Sequence, residues 1–117
     1  MQLTEVTYDS AVPVDGYGPG FFRVAGQVIQ GPMLVTDQRA TTWGGMDDLT
    51  ALLALAKEID VLLLGTGADT AHPPRALREA LEEVGVGVEA MASPAACRTY
   101  NVLVSEGRRI ALAALPA

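Results

Sequence analysis

The residues best suited to chemistry stand in two places. The first is Val61-Leu62-Leu63-Leu64-Gly65-Thr66-Gly67, an aliphatic run that ends in a glycine turn. Such a turn lets main-chain amides approach a phosphate. Glu89 follows about twenty residues on, where a dinucleotide fold places its ribose-binding acid. The match breaks at two points. Position 70 is a threonine where a third glycine belongs, and His72-Pro73-Pro74 separates the turn from the next helix. A phosphate needs the free amides of a helix that opens directly from the turn, and prolines remove donors there. Tight nicotinamide or flavin dinucleotide binding is therefore not expected. A tight turn at a strand end is the plainer reading, with a weak anion contact at Gly65, Thr66 and Gly67 left open.

The second place is Cys97-Arg98. Cys97 is the one thiol, about a turn into a helix and beside a cation, and both features favour a thiolate. Nucleophilic use also needs a base, and the one histidine, His72, belongs to another loop. Packing as a small apolar group is the expected role of Cys97. Arg98 can hold an anion, with an ion pair to the acid-rich surface as the ordinary alternative. Asn101 is placed to bind a neighbouring backbone segment, and Arg108-Arg109 reads as a solvated strand edge. Trp43 is a partner anchor if exposed and a core plug if buried.

Other chemistries find little support. There is no Gly-x-Ser-x-Gly elbow, and Ser93 reads as a helix N-cap. The aspartates are scattered rather than set in a metal loop. No catalytic residue, metal or cofactor is assigned.

These residues need elements to position them. Leu3 to Tyr8 alternates in polarity and suits an edge strand. Asp15 to Gly20 is dense in turn formers and predicts a loop. Phe21 to Val24, Gln27 to Ile29 and Met33 to Thr36 read as strands, so the first third is β-rich. Leu49, Leu52, Leu53 and Ala56 predict a helix over Asp47 to Glu58. Val61 to Leu64 suits a central strand covered on both faces. Arg75 to Val84 predicts a second helix with Leu77, Leu81 and Val84 inward, and Val86 to Met91 the next strand. Ser93 with Pro94 behind it opens a third helix that ends near Glu106-Gly107. Arg108 to Leu115 closes the sheet, parallel or antiparallel.

At 117 residues, half of them hydrophobic, the chain suits one domain, 1–117. A net charge of −6 argues against a nucleic-acid role. One cysteine precludes an internal disulfide, and with one histidine it cannot build a structural zinc site. The N-terminus lacks the pattern of a signal peptide or a mitochondrial presequence, and no apolar run approaches bilayer length. The expectation is a cytoplasmic protein without membrane insertion.

Ala96-Cys97-Arg98-Thr99-Tyr100-Asn101, followed by Glu106-Gly107-Arg108-Arg109, resembles the signature of a family without a settled biochemical activity. That family of small proteins includes the mitochondrial respiratory complex I assembly factor 3. The likeness extends to Trp43, to Leu64-Gly65-Thr66-Gly67 and to the proline before the second helix. It implies a three-layer α/β fold, with a central mixed β-sheet, helices on its faces and extra N-terminal β structure. It also implies a non-enzymatic accessory protein that works through contacts with a protein partner. The alternative is a small-molecule or anion-binding protein, or an enzyme, that uses Gly65, Thr66 and Gly67 with Cys97 and Arg98. Trp43 is the candidate for partner contact.

Overall fold

A computed structural model describes residues 5–7 and 13–117. Its main sheet has six strands in the order β1 (Glu5–Thr7), β6 (Arg39–Thr42), β5 (Met33–Val35), β9 (Ile110–Leu115), β7 (Val61–Thr66) and β8 (Gly87–Met91). β7 runs parallel to both β8 and β9, and the other pairings are antiparallel. A second sheet of three strands joins β2 (Val14–Gly18), β3 (Phe21–Val24) and β4 (Gln27–Gln30). The helices are α1 (Leu49–Leu53), α2 (Arg75–Glu83) and α3 (Ser93–Ser105).

The main sheet is covered on both sides because β5 and β9 are apolar throughout and β7 is apolar until Thr66. Leu63, Ile110, Leu112 and Ala114 face a layer made of α3 and the small sheet, through Cys97, Tyr100, Phe22 and Ile29. Leu62, Leu64, Ala111 and Ala113 face α1 and α2 through Leu52, Leu77 and Leu81. Period-two alternation thus splits one apolar strand into two cores. The result is the three-layer α/β arrangement with a mixed central sheet and added N-terminal β structure.

Several expectations change in detail. The segment from Asp15 to Gly20 is mostly strand: β2 pairs with β3 despite its glycines, with a register irregularity between Val14 and Gly16. A strand not anticipated, β6, follows the Thr36 turn and pairs with β5. The first helix is only five residues long. Beyond it, Leu55, Ala56 and Glu58 donate to carbonyls three residues back, as in 3₁₀ turns. That tighter winding points Leu52 and Leu55 inward together and leaves Leu53 exposed. Val84 is exposed, and Val86 takes the inward position instead. β7 is interior, but the middle of the sheet belongs to β5 and β9. The edge strand near the N-terminus is present as β1, while Leu3, Thr4 and Tyr8 lie outside the described residues.

Burial on both faces and pairing on both edges should make the β7 and β9 amides the last to open. In hydrogen exchange, Leu62 to Leu64, Leu112 and Ala113 are expected among the slowest amides of the chain. Rapid exchange there would contradict this core.

Candidate functional site

The two crossovers of the parallel region leave in opposite directions. From β7 the chain passes over one face as α2 to reach β8. From β8 it passes over the other face as α3, crosses β7 and enters β9. Open α/β sheets bind ligands where such connections diverge, outside the carboxyl ends of the strands. Here that place is Gly65-Thr66-Gly67 against Met91-Ala92-Ser93.

Hydrogen bonds between the two loops fill it. The Ser93 amide donates to the Gly67 carbonyl at 2.7 Å. The Ser93 hydroxyl accepts from the Gly67 amide at 2.9 Å and donates to the Leu115 carbonyl. The Thr66 hydroxyl donates to the Asp69 carbonyl at 2.7 Å, with the Met91 carbonyl 3.2 Å away, and accepts from the Ala71 amide at 3.1 Å. The Thr70 hydroxyl accepts from the Ala92 amide at 3.2 Å. Ser93 is therefore not the N-cap of α3; that position is Ala92, and Ser93 is buried as a latch between three chain segments.

The glycines serve the same closure. A Cβ on Gly65 would stand 2.7 Å from the Ser93 Oγ and 2.9 Å from the Ala114 Cβ. Gly67 has φ +99°, which side chains rarely adopt. The turn is shaped by packing, and the Gly67 amide that an anion would need already has a partner.

Cys97 lies one turn into α3, facing the core that holds Tyr100 and Val104. Burial pushes its thiol up from 9.0 to about 11, against the opposing pull of the Arg98 guanidinium. Desolvation outweighs the two features that favour a thiolate. His72 gives no help, since it sits with Ala90 and Arg78 on the α2 side of the sheet, opposite Cys97. Arg98 points to solvent and makes no ion pair among the described residues.

Trp43 is 4 % exposed, within the α1–α2 core, and its indole N–H donates to the Asp48 carbonyl at 3.1 Å. Burial removes the exposed ring that a partner anchor requires, and Trp43 is a core plug. Asn101 clips α3 to the small sheet: its Oδ1 accepts from the Val14 amide at 2.8 Å, and its Nδ2 donates to the Val14 carbonyl at 3.1 Å. Arg109 is exposed, as expected of a solvated edge, and it also has a structural task. Its guanidinium donates to the Lys57 and Glu58 carbonyls at 2.8 and 3.2 Å, closing the turns after α1. Among the described residues, no cluster of three His, Cys, Asp or Glu side chains is placed to hold a metal ion.

Residues 14–115 match a family described as a protein of unknown function, DUF498/DUF598. The chain belongs to that family. An uncharacterised protein of Rhodobacter capsulatus is 53 % identical over 116 residues, 99 % of this chain and 94 % of that protein. The Danio rerio NADH dehydrogenase [ubiquinone] 1 alpha subcomplex assembly factor 3 is 34 % identical over 107 residues, 86 % of this chain. This DUF498/DUF598 chain spans 62 % of that assembly factor's length. A crystal structure described as an outer membrane protein from Bartonella henselae superposes with TM-score 0.83 at 30 % identity, covering 92 % of this chain and 98 % of that one. In the present family member, no helix among the described residues is long and apolar enough to cross a membrane.

The latch and the thiol yield two measurements. Ser93→Ala strands a buried amide and a carbonyl and should lower stability by about 2 kcal/mol. Gly65→Ala should cost a comparable ~1–3 kcal/mol through overpacking. Denaturant titrations check both; unchanged midpoints would remove the latch from the account. For Cys97, the folded-state value lies above the ordinary one, so the thiol's stabilising share is complete below pH 9 and is lost as pH climbs toward about 11. Native thiol labelling at neutral pH should be slow and limited by unfolding. Cys97→Ser should cost on the order of 1 kcal/mol, and fast native labelling would contradict the structural role.

Proposed function

We propose that this chain is a non-enzymatic accessory protein that acts in the cytoplasm through protein–protein contacts and assists assembly of an NADH dehydrogenase. The observation that carries the reading is the likeness to the Danio rerio assembly factor 3, 34 % identity over 86 % of the chain. The site chemistry is consistent with it. Groups at the strand ends that would serve a ligand are engaged with one another, and the Cys97 thiol is held in its neutral form. The alternative built on Gly65, Thr66 and Gly67 with Cys97 and Arg98 loses its donors to the latch and its thiolate to burial.

The contact face we assign is the outward side of α3. Arg98 and Val102 are four residues apart, one helical turn, and both are exposed, with Val102 at 57 %. An arginine beside an exposed aliphatic side chain suits the rim and centre of a small interface. A host strain lacking this gene should accumulate less assembled NADH dehydrogenase on native gels, and the full chain should restore it. Arg98→Ala combined with Val102→Lys should melt within a few degrees of wild type yet fail to restore assembly. Normal assembly in the deleted strain would overturn the function; full rescue by the double variant would overturn the face.

A further inference from the structure

Just outside the closed junction, on its α2 side, lies an open cleft of about 300 Å³ lined by Thr70, Ala71, His72, Pro73, Arg78 and Ala90. It adjoins the carboxyl ends of β7 and β8, where open α/β sheets place their ligands. The latch fills the junction itself and leaves this flank free. Ala90 contributes to its floor from β8, and the small side chain keeps the space open.

The lining is one-sided in charge. Two of its side chains, His72 and Arg78, are basic, and none is acidic. Neither makes a hydrogen bond to another described residue. The one ion pair of Arg78 is a long 3.7 Å approach to Glu82, the next turn of its own helix, which leaves most of its five N–H donors available. The Thr70 hydroxyl accepts from the Ala92 amide, so its own hydrogen remains free to donate. Asp69, Glu79 and Glu89 adjoin lining residues in sequence and Glu82 pairs with Arg78, yet none of the four lines the cleft. In a chain of net charge −6, a cleft with only basic and neutral lining departs from the prevailing surface.

We propose that this cleft binds the oxyanion head of a small ligand, a phosphate or a carboxylate, held by Arg78, His72 and the Thr70 hydroxyl. Arg78 supplies forked donors, His72 a second N–H from the loop, and Thr70 ties the ligand to the latched junction. The inference is independent of the accessory role and of the α3 face, and its failure leaves both untouched.

The test is a pair of amide NMR titrations of the full chain at fixed ionic strength, one with inorganic phosphate and one with acetate. Saturable shifts are expected at Thr70, Ala71, His72 and Ala90, with a midpoint on the order of 1 mM. Saturation with phosphate alone identifies a phosphorylated ligand, and with acetate alone a carboxylate. Arg78→Gln and His72→Ala should each raise the midpoint roughly tenfold, the loss of one charge-assisted hydrogen bond. Arg75→Gln, on the same helix but outside the cleft, should leave it unchanged. Absence of saturation with both anions, an unchanged midpoint in Arg78→Gln, or an equal loss in Arg75→Gln would overturn the proposal.

Discussion

Everything in this fold hangs on β9. The last strand of the chain occupies the middle of the main sheet, between β5 on its antiparallel side and β7 on its parallel side. Among the described residues, it alone joins the N-terminal strands of that sheet to the βαβ region. Its sequence, Ile-Ala-Leu-Ala-Ala-Leu, suits that post: five of the six residues are buried, and alanines allow close approach on both faces. Ala114 beside Gly65 leaves room for Ser93, and Ser93 ties the start of α3 to the end of β9. Because these pairings span most of the chain, the sheet cannot be completed until the C-terminus arrives, the nonlocal regime of slower folding.

That constraint decides what the strand ends can do. In many sheets of this topology the diverging loops hold a ligand between them. Here the loops hold each other. Ser93 uses its side-chain oxygen to satisfy a buried main-chain amide, the usual obligation inside a protein, while Thr66 and Thr70 accept from amides at the exposed rim of the junction. Glycine at 65 and 67 follows from contact and from φ, so the resemblance to a nucleotide turn arises from packing rather than phosphate recognition.

The sequence disclosed the elements whose period or composition is unmistakable: the aliphatic β7, α2 with Leu77 and Leu81, and α3 with its Gly107 stop. It concealed those that depend on neighbours. β2 reads as a loop because Asp15-Gly16-Tyr17-Gly18 has poor strand propensity, yet β3 and the Asn101 clip supply its partners. β6 is short and threonine-rich, and pairing with β1 and β5 makes it a strand. Ser93 before Pro94 has the composition of a cap, and only the tertiary approach of Gly67 and Leu115 turns it into a latch. His72 and Arg78 are six residues apart across a helix boundary, so no motif links them. Their common cleft is a product of the crossover.

The hexapeptide from Ala96 to Asn101 can be divided by what each side chain touches. Ala96, Cys97 and Tyr100 fill the core beneath the sheet. Thr99 donates to the Met91 sulfur at 3.5 Å, tying the helix to the strand before it. Asn101 satisfies both polar groups of Val14. Glu106 and Gly107 then end the helix, with the Arg108 amide reaching back to the Leu103 carbonyl, and Arg109 closes the turns after α1. Five of the six residues thus act on this chain's own fold. Arg98 alone has no such task among the described residues: it is exposed, lacks an ion pair, and tugs only weakly on a thiol that burial controls. Core contacts of Cys97 and Tyr100 fix the backbone at position 98, and the side chain extends from there into solvent. The residues that make the hexapeptide recognisable are therefore chiefly those that seat α3 against this chain's own strands.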